Sequence, residues 1–162
     1  MLLHEPSRIL VPVDFSPQAR NAVEYALILA RHFGADVQLL HVWPETIVPA
    51  TWGQAAVLDE FAQTQAGKEM RGYLEELEGS GIRVLGRLEP GDPVETIVRV
   101  AAEEHCDLII MGTHGRTGLS HFLHGSLAEK VVRLASCPVV TLRVPDGELG
   151  DEVPASVPDA YM

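Results

Sequence analysis

Basic residues are scarce in this 162-residue chain: 12 Lys and Arg stand against 23 Asp and Glu, a formal net charge of −11. A broad nucleic-acid surface needs clustered Lys and Arg to neutralise phosphates. The balance therefore argues against nucleic acid as a partner, and against an anionic membrane surface for the same reason. Cysteine is scarcer still. Cys106 and Cys137 are the only two, too few for a disulfide framework and suited to a reducing compartment. The opening Met1-Leu2-Leu3-His4-Glu5-Pro6 has neither the basic region nor the apolar stretch of a secretory signal. No apolar run approaches the roughly 18 residues of a membrane span; the stretches around Ala26–Ala30 and Leu108–Met111 are short and flanked by charge. These absences predict a cytoplasmic protein.

What the chain does have is a core. Apolar residues make up 46% and charged residues 22%, ordinary for a globular protein, and the length predicts one domain. The acidity is unevenly spread. Residues 144–162 hold three prolines, two glycines and five acids (Asp146, Glu148, Asp151, Glu152, Asp159) with no Lys or Arg, which predicts a solvated, mobile tail. Residues 1–143 then carry 12 basic minus 18 acidic side chains, or −6. The expected division is a domain over 1–143 and an acidic tail over 144–162.

Along 1–143, short apolar runs alternate with longer segments of helical period. Arg8–Val13, Val37–Val42, Arg83–Leu88, Leu108–Met111 and Val139–Leu142 read as buried strands, continuous in apolar residues. Between them, Ser16-Pro17 and Asp92-Pro93 are helix starts, a capping oxygen followed by proline at the first helical position. Gly34 and Gly79-Ser80-Gly81 are stops. Residues 44–57, with two prolines, a glycine and Trp52, read as an irregular loop, and helical period resumes at Leu58. A last helix runs from Ser126 to about Ala135. Five strands, apolar on both faces and separated by helices, predict an α/β fold, a doubly wound, Rossmann-like, five-stranded parallel sheet sandwiched by helices. Its ligand is expected beyond the carboxyl ends of the strands, where strand order reverses.

The end of the fourth strand is the informative one. It runs Gly112-Thr113-His114-Gly115-Arg116-Thr117-Gly118-Leu119-Ser120-His121-Phe122-Leu123-His124-Gly125-Ser126 into a helix. Glycines there let backbone N–H groups approach an anion without obstruction from Cβ. Gly125 and Ser126 stand where free N–H donors and the positive end of the helix dipole favour negative charge. Ser126 adds a hydroxyl, and Arg116 is the one basic side chain of the loop. Taken alone, the glycines fit a Ser-capped connecting loop about equally well. His114, His121 and His124 crowd the same loop, but without a Cys or acid among them they do not read as a zinc site.

With the spacing Gly112-x2-Gly115-x9-Gly125-Ser126 in view, the sequence resembles the ATP-binding class of the universal stress protein family. Ile9-Leu10-Val11-Pro12-Val13-Asp14-Phe15-Ser16, Asp107–Arg116 and Ser136-Cys137-Pro138-Val139-Val140 are similar to family segments. The likeness covers roughly residues 7–143. It implies that Pro12, Val13 and Asp14 border the adenosine, with Asp14 accepting from adenine or ribose, and that the Val42 backbone contacts adenine. It further implies that Met111 and Gly112 lie by the ribose, and that Gly115, Arg116, Gly125, Ser126 and Leu127 hold the triphosphate, Leu127 through its N–H. Mg²⁺ would accompany ATP, with phosphates and water supplying most ligands because the loop lacks the acids of a metal cage. A homodimer joined through the fifth strand is implied too, and that strand is an exposed-edge liability unless paired.

Enzymatic alternatives lack their residues. Gly67-Lys68-Glu69 is no phosphate-loop lysine, since Ser or Thr does not follow and no glycine stands at 62; Val84 occupies the third glycine position of a dinucleotide fingerprint. Glu89 is a poor phosphoacceptor after the third strand and Arg143 a poor substitute for lysine after the fifth. No nucleophile–base pair is identifiable. The expected function is an ATP-binding stress or regulatory protein with at most slow hydrolysis, not an efficient enzyme. The alternatives are an interaction protein with a purely structural nucleotide, or an ATP-dependent enzyme on the same fold. Trp43 and Trp52 flank the 44–57 segment as candidates either for a cover over the nucleotide or for a subunit contact. Cys106 and Cys137, each just before a strand and opposite the ligand end, read as half-buried thiols.

Overall fold

Ile9, Leu10 and Val11 are fully buried, and the reason is that their strand, β1 (Arg8–Pro12), has neighbours on both edges and helices on both faces. The structure, a computed structural model, describes residues 4–43, 55–113 and 126–143. Its elements follow as α1 (Pro17–Phe33), β2 (Asp36–Trp43), α2 (Ala55–Leu77), β3 (Val84–Pro90), α3 (Pro93–Glu103), β4 (Leu108–Gly112), α4 (Ser126–Leu134) and β5 (Val139–Leu142). All pairings are parallel and the strand order is β3-β2-β1-β4-β5. The chain therefore winds outward through β2 to β3, returns past β1 and winds the other way through β4 to β5. The α/β, doubly wound reading of the sequence holds.

Alternation along the strands sends Ile9, Val11, Val37, Leu39 and Ile110 to the face that packs with α1 and α2 residues. Leu10, Leu40, Ile109 and Met111 face the α3 and α4 side. Each large side chain fully removed from water contributes roughly 1.5–3 kcal/mol, which is why these strands carry no polar alternation. α1 starts where its sequence says: the Ser16 hydroxyl accepts from the Ala19 N–H at 3.2 Å, Pro17 follows, and Gly34 closes the helix at φ 70°. Asp92 does the same for α3, accepting from the Glu95 N–H at 3.0 Å.

Several strand ends move by one residue, and two boundaries differ from the sequence reading by more than one. α2 begins at Ala55, three residues before Leu58, because Ala55 and Ala56 are strong helix formers too small to register as an apolar stripe. Residues 55–57 of the expected 44–57 loop thus belong to α2, and 44–54 lie outside the described residues. β3 runs on to Pro90, with Glu89 and Pro90 opposite Val42 and Trp43; β3 is an edge strand, where a missing N–H is tolerated. Residues 144–162, the expected tail, lie outside the described residues.

At the amino end of the sheet, Asp107 gathers the chain that precedes β1. One carboxylate oxygen accepts from His4 Nε2 at 2.6 Å; the other accepts from the Ser7 N–H, the Ser7 hydroxyl and the Arg8 N–H at 2.8, 2.7 and 3.0 Å. Beside it, Cys106 is buried and Cys137 half-buried, both as free thiols. Burial, reinforced by the nearby Cys137, pushes the Cys106 thiol up to about 12, and burial likewise raises Cys137. Since the thiolate is the reactive form, Cys106 is expected to react with a thiol-directed dye more than about 1,000-fold slower than a free cysteine near neutral pH. Rapid labelling of both thiols in the folded protein would contradict this placement.

Candidate nucleotide site

At the opposite end, where β1 and β4 lie side by side and the winding reverses, the chain forms a sharp turn. Asp14 follows Val13, and its Oδ1 accepts from the Ser16 N–H at 3.0 Å. Phe15 between them sits at φ 62°, the left-handed region that side chains with a Cβ rarely occupy. The Val13 N–H donates to the Leu40 carbonyl at 2.8 Å and the Thr113 N–H to the Leu142 carbonyl at 2.9 Å, extending the sheet by one residue past β1 and β4. Between these strand ends lies a cavity of about 200 Å³.

Its walls come from every layer. Pro12, Val13 and Asp14 form one side, Leu40 and Val42 of β2 the floor, and Met111, Gly112 and Thr113 the other side. Ala19 of α1, Pro93 and Ile97 of α3, and Leu127 and Ala128 of α4 complete it. Asp14 is the one ionisable group among the described residues that line it. The rest is apolar or backbone, a lining that favours a flat, largely apolar ring with a few directed polar contacts. α4 opens at Ser126 with Leu127 and Ala128 at the cavity, so its first N–H groups, which no helical carbonyl can satisfy, lie at the same end.

Of the residues singled out from sequence, Pro12, Val13, Asp14, Val42, Met111, Gly112 and Leu127 are brought together at this cavity. Ser126 is the first residue of α4. Gly115, Arg116 and Gly125 lie outside the described residues, as do His114, His121, His124 and Trp52. Trp43 is buried at the end of β2, its carbonyl accepting from the Gly91 N–H at 3.0 Å, and is not among the lining residues. Sequence reasoning missed Ala19, Leu40, Pro93, Ile97, Thr113 and Ala128. Leu40 was recoverable as the residue two before Val42 on the same strand face, and Ile97 as the residue one helical turn after Pro93. The alanines carry no chemical sign.

Glu89, at the end of β3, is committed elsewhere. It takes Arg87 Nε at 2.8 Å and Arg99 at 3.1 Å, and the Arg87 hydrogen bond holds its carboxyl below the ordinary range. Arg87 also reaches Glu104 and Glu103 at 2.8 and 2.9 Å, tying the end of α3 to the sheet edge. Among the described residues, no group of three or more His, Cys, Asp or Glu side chains is arranged to hold a metal ion, and no described helix is long and apolar enough to cross a membrane.

Comparison with known proteins gives the family. The model of the universal stress protein family matches residues 6–143. The chain belongs to the universal stress protein family. Within that family it is 31% identical over 144 residues to universal stress protein MJ0531 of Methanocaldococcus jannaschii, covering 87% of this chain and 84% of that one. It is 31% identical over 152 residues to universal stress protein MJ0577 of the same organism, covering 84% and 94% of the two chains. The solved structure of MJ0577 superposes with a TM-score of 0.79 at 32% identity, over 87% of this chain and 98% of that one. A family protein from Arabidopsis thaliana with AMP bound shares the fold at 19% identity and a TM-score of 0.61, over 91% and 97% of the chains.

Proposed function

We propose that this universal stress protein binds ATP at the carboxyl ends of β1 and β4 and acts as a stress-response regulator with at most slow hydrolysis. The observation that carries the reading is the apolar cavity at the winding reversal, bordered by Asp14 and opening beside the amino end of α4. Pockets for drug-sized ligands run roughly 300–1,000 Å³, so about 200 Å³ between the described walls suits the base and ribose. The phosphates then fall to Gly115, Arg116, Gly125, Ser126 and the Leu127 N–H. AMP in the Arabidopsis relative is consistent with an adenine nucleotide here.

Mg²⁺ would enter on the phosphates. The cavity's described walls offer one carboxylate, Asp14, and one of its oxygens already accepts from the Ser16 N–H, far short of the oxygen shell a hard cation needs from a protein cage. Asp14 is the one ionisable group among the described wall residues, and in this reading it contacts the nucleoside and not the phosphates.

The test is direct. Purified protein is denatured and any released nucleotide identified by chromatography, and the stripped, refolded chain is then titrated with ATP and ADP. Saturable binding of ATP is expected; if neither nucleotide binds at millimolar concentration, the reading is wrong.

A homodimer through β5 goes with this function, in a cytoplasmic setting where two free cysteines stay reduced. β5 is an edge strand, and Val132 and Leu134 of the neighbouring α4 are exposed at 52% and 60%. Pairing two β5 strands about a two-fold axis satisfies the open backbone edge. Light scattering at tens of micromolar is expected to give twice the chain mass, and a monomer there would reject the dimer.

A further inference from the structure

Phe15 is one of two described non-glycine residues with positive φ. The other, His105, stands just past α3, where helices commonly finish in this conformation. Phe15 has no such excuse, because it stands between a strand and a helix. Strain of this kind persists only where surrounding structure over-determines it, and it clusters at functional sites.

The over-determination is visible on the side of the sheet away from the cavity. Leu40 and Val42 line the cavity; His41, between them, faces the other way by strand alternation. Its ring stacks on Phe15 with centroids 4.6 Å apart, and Phe15 meets Tyr73 of α2 edge-on at 5.6 Å. Arg20 lies 4.9 Å over the Tyr73 ring and pairs with Glu76 at 2.7 Å. His41 Nδ1 is 2.8 Å from the Val13 carbonyl oxygen. A carbonyl only accepts, so Nδ1 carries the hydrogen and donates. Val13 is thus gripped through its N–H by Leu40 and through its carbonyl by His41, one residue before Asp14.

We propose that His41, which does not itself line the cavity, is a positioning residue for the nucleotide site: by donating to the carbonyl of the wall residue Val13 and stacking on Phe15, it locks the turn that aims Asp14 at the ligand. This rests on the nucleotide reading above. His41 therefore sets affinity for the nucleoside half of the ligand, the part Asp14 borders, and leaves the phosphate contribution unchanged.

The experiment compares His41→Phe, which keeps a ring and loses the donor, with His41→Asn, whose side-chain amide donates from near the Nδ1 position. Both are titrated with adenosine and with ATP, alone and combined with Asp14→Ala. His41→Phe is expected to weaken adenosine and ATP by the same factor, about tenfold, with His41→Asn recovering most of the loss. Added to Asp14→Ala, His41→Phe is expected to cost nothing more, because residues acting as one unit are non-additive. Should the phenyl variant fail to fold, His41→Leu takes its place. Equal losses from His41→Phe with and without Asp14 would overturn the proposal, as would unchanged affinity for adenosine. A wild-type chain that binds neither ligand overturns the nucleotide reading itself, and this proposal with it.

Discussion

Gly125→Val is expected to abolish ATP binding while leaving the fold in place. α4 begins at Ser126, so residue 125 stands immediately before the helix whose first, free N–H groups are proposed to hold the phosphates. On that reading, a β-branched side chain there is expected to take the room that a glycine leaves to the phosphates. The packing side of α4 is made by Ala128 and Val131, one and two turns on, so the fold is expected to survive the change. The expected loss is at least about 100-fold in Kd, roughly 2.7 kcal/mol, with the thermal midpoint moved by no more than a few degrees. Titration calorimetry beside a melting curve separates the outcomes. Affinity equal to wild type removes the phosphates from this end of α4, and an unfolded variant makes Gly125 a residue of the fold instead.

Asp107→Ala is expected to cost about 2 kcal/mol at neutral pH and nothing in strong acid. Burial pulls this carboxyl's pKa upward, but hydrogen bonds from the Ser7 hydroxyl, the Ser7 N–H, His4 and the Arg8 N–H outweigh it and bring it from 3.8 down to about 2. A group with a depressed folded pKa stabilises the fold above its unfolded value and loses that contribution as pH falls through the folded one. The window here is therefore from about pH 4 down to about pH 2. The side chain is only 15% exposed, so the conversion at about 1.4 kcal/mol per pKa unit needs little discount for solvent. Urea unfolding of wild type and variant across that window provides the check. Curves separated by the same amount at both ends of the range would show that ionisation of Asp107 is not what holds residues 4–8.

The fold was readable in sequence because its local and global signals agree. Strands covered on both faces must be continuously apolar, as Ile9–Val11 and Leu108–Met111 are, and Ser16-Pro17 and Asp92-Pro93 announce helices that do start there. The start of α2 was not readable, since Ala55 and Ala56 have helical propensity without an apolar stripe to advertise it. The candidate site divides in the same way. Its glycines and Asp14 carry chemical character and stood out. Leu40, Ile97 and Ala128 look like any other core residue until the fold leaves a space beside them. Least visible were contacts between distant segments. Nothing around His41 points to Val13, 28 positions earlier, and nothing around Asp107 points to Ser7, 100 positions earlier. Pairings of that kind are made by topology, and spacing along the chain is silent about them.

The central place of β1 also has a consequence for synthesis. β1 is made before both of the strands that flank it: β2 can dress one of its edges once residue 43 is made, but the other waits for β4, whose Leu108 lies opposite Ile9. At translation rates of about 5–20 residues per second, that is a delay of several seconds with an apolar strand half-dressed. The cavity walls straddle the same divide, with Pro12, Val13 and Val42 on the early side and Met111, Gly112 and Leu127 on the late one. A ligand of the kind proposed for this cavity is therefore out of reach of a chain that has not yet reached α4.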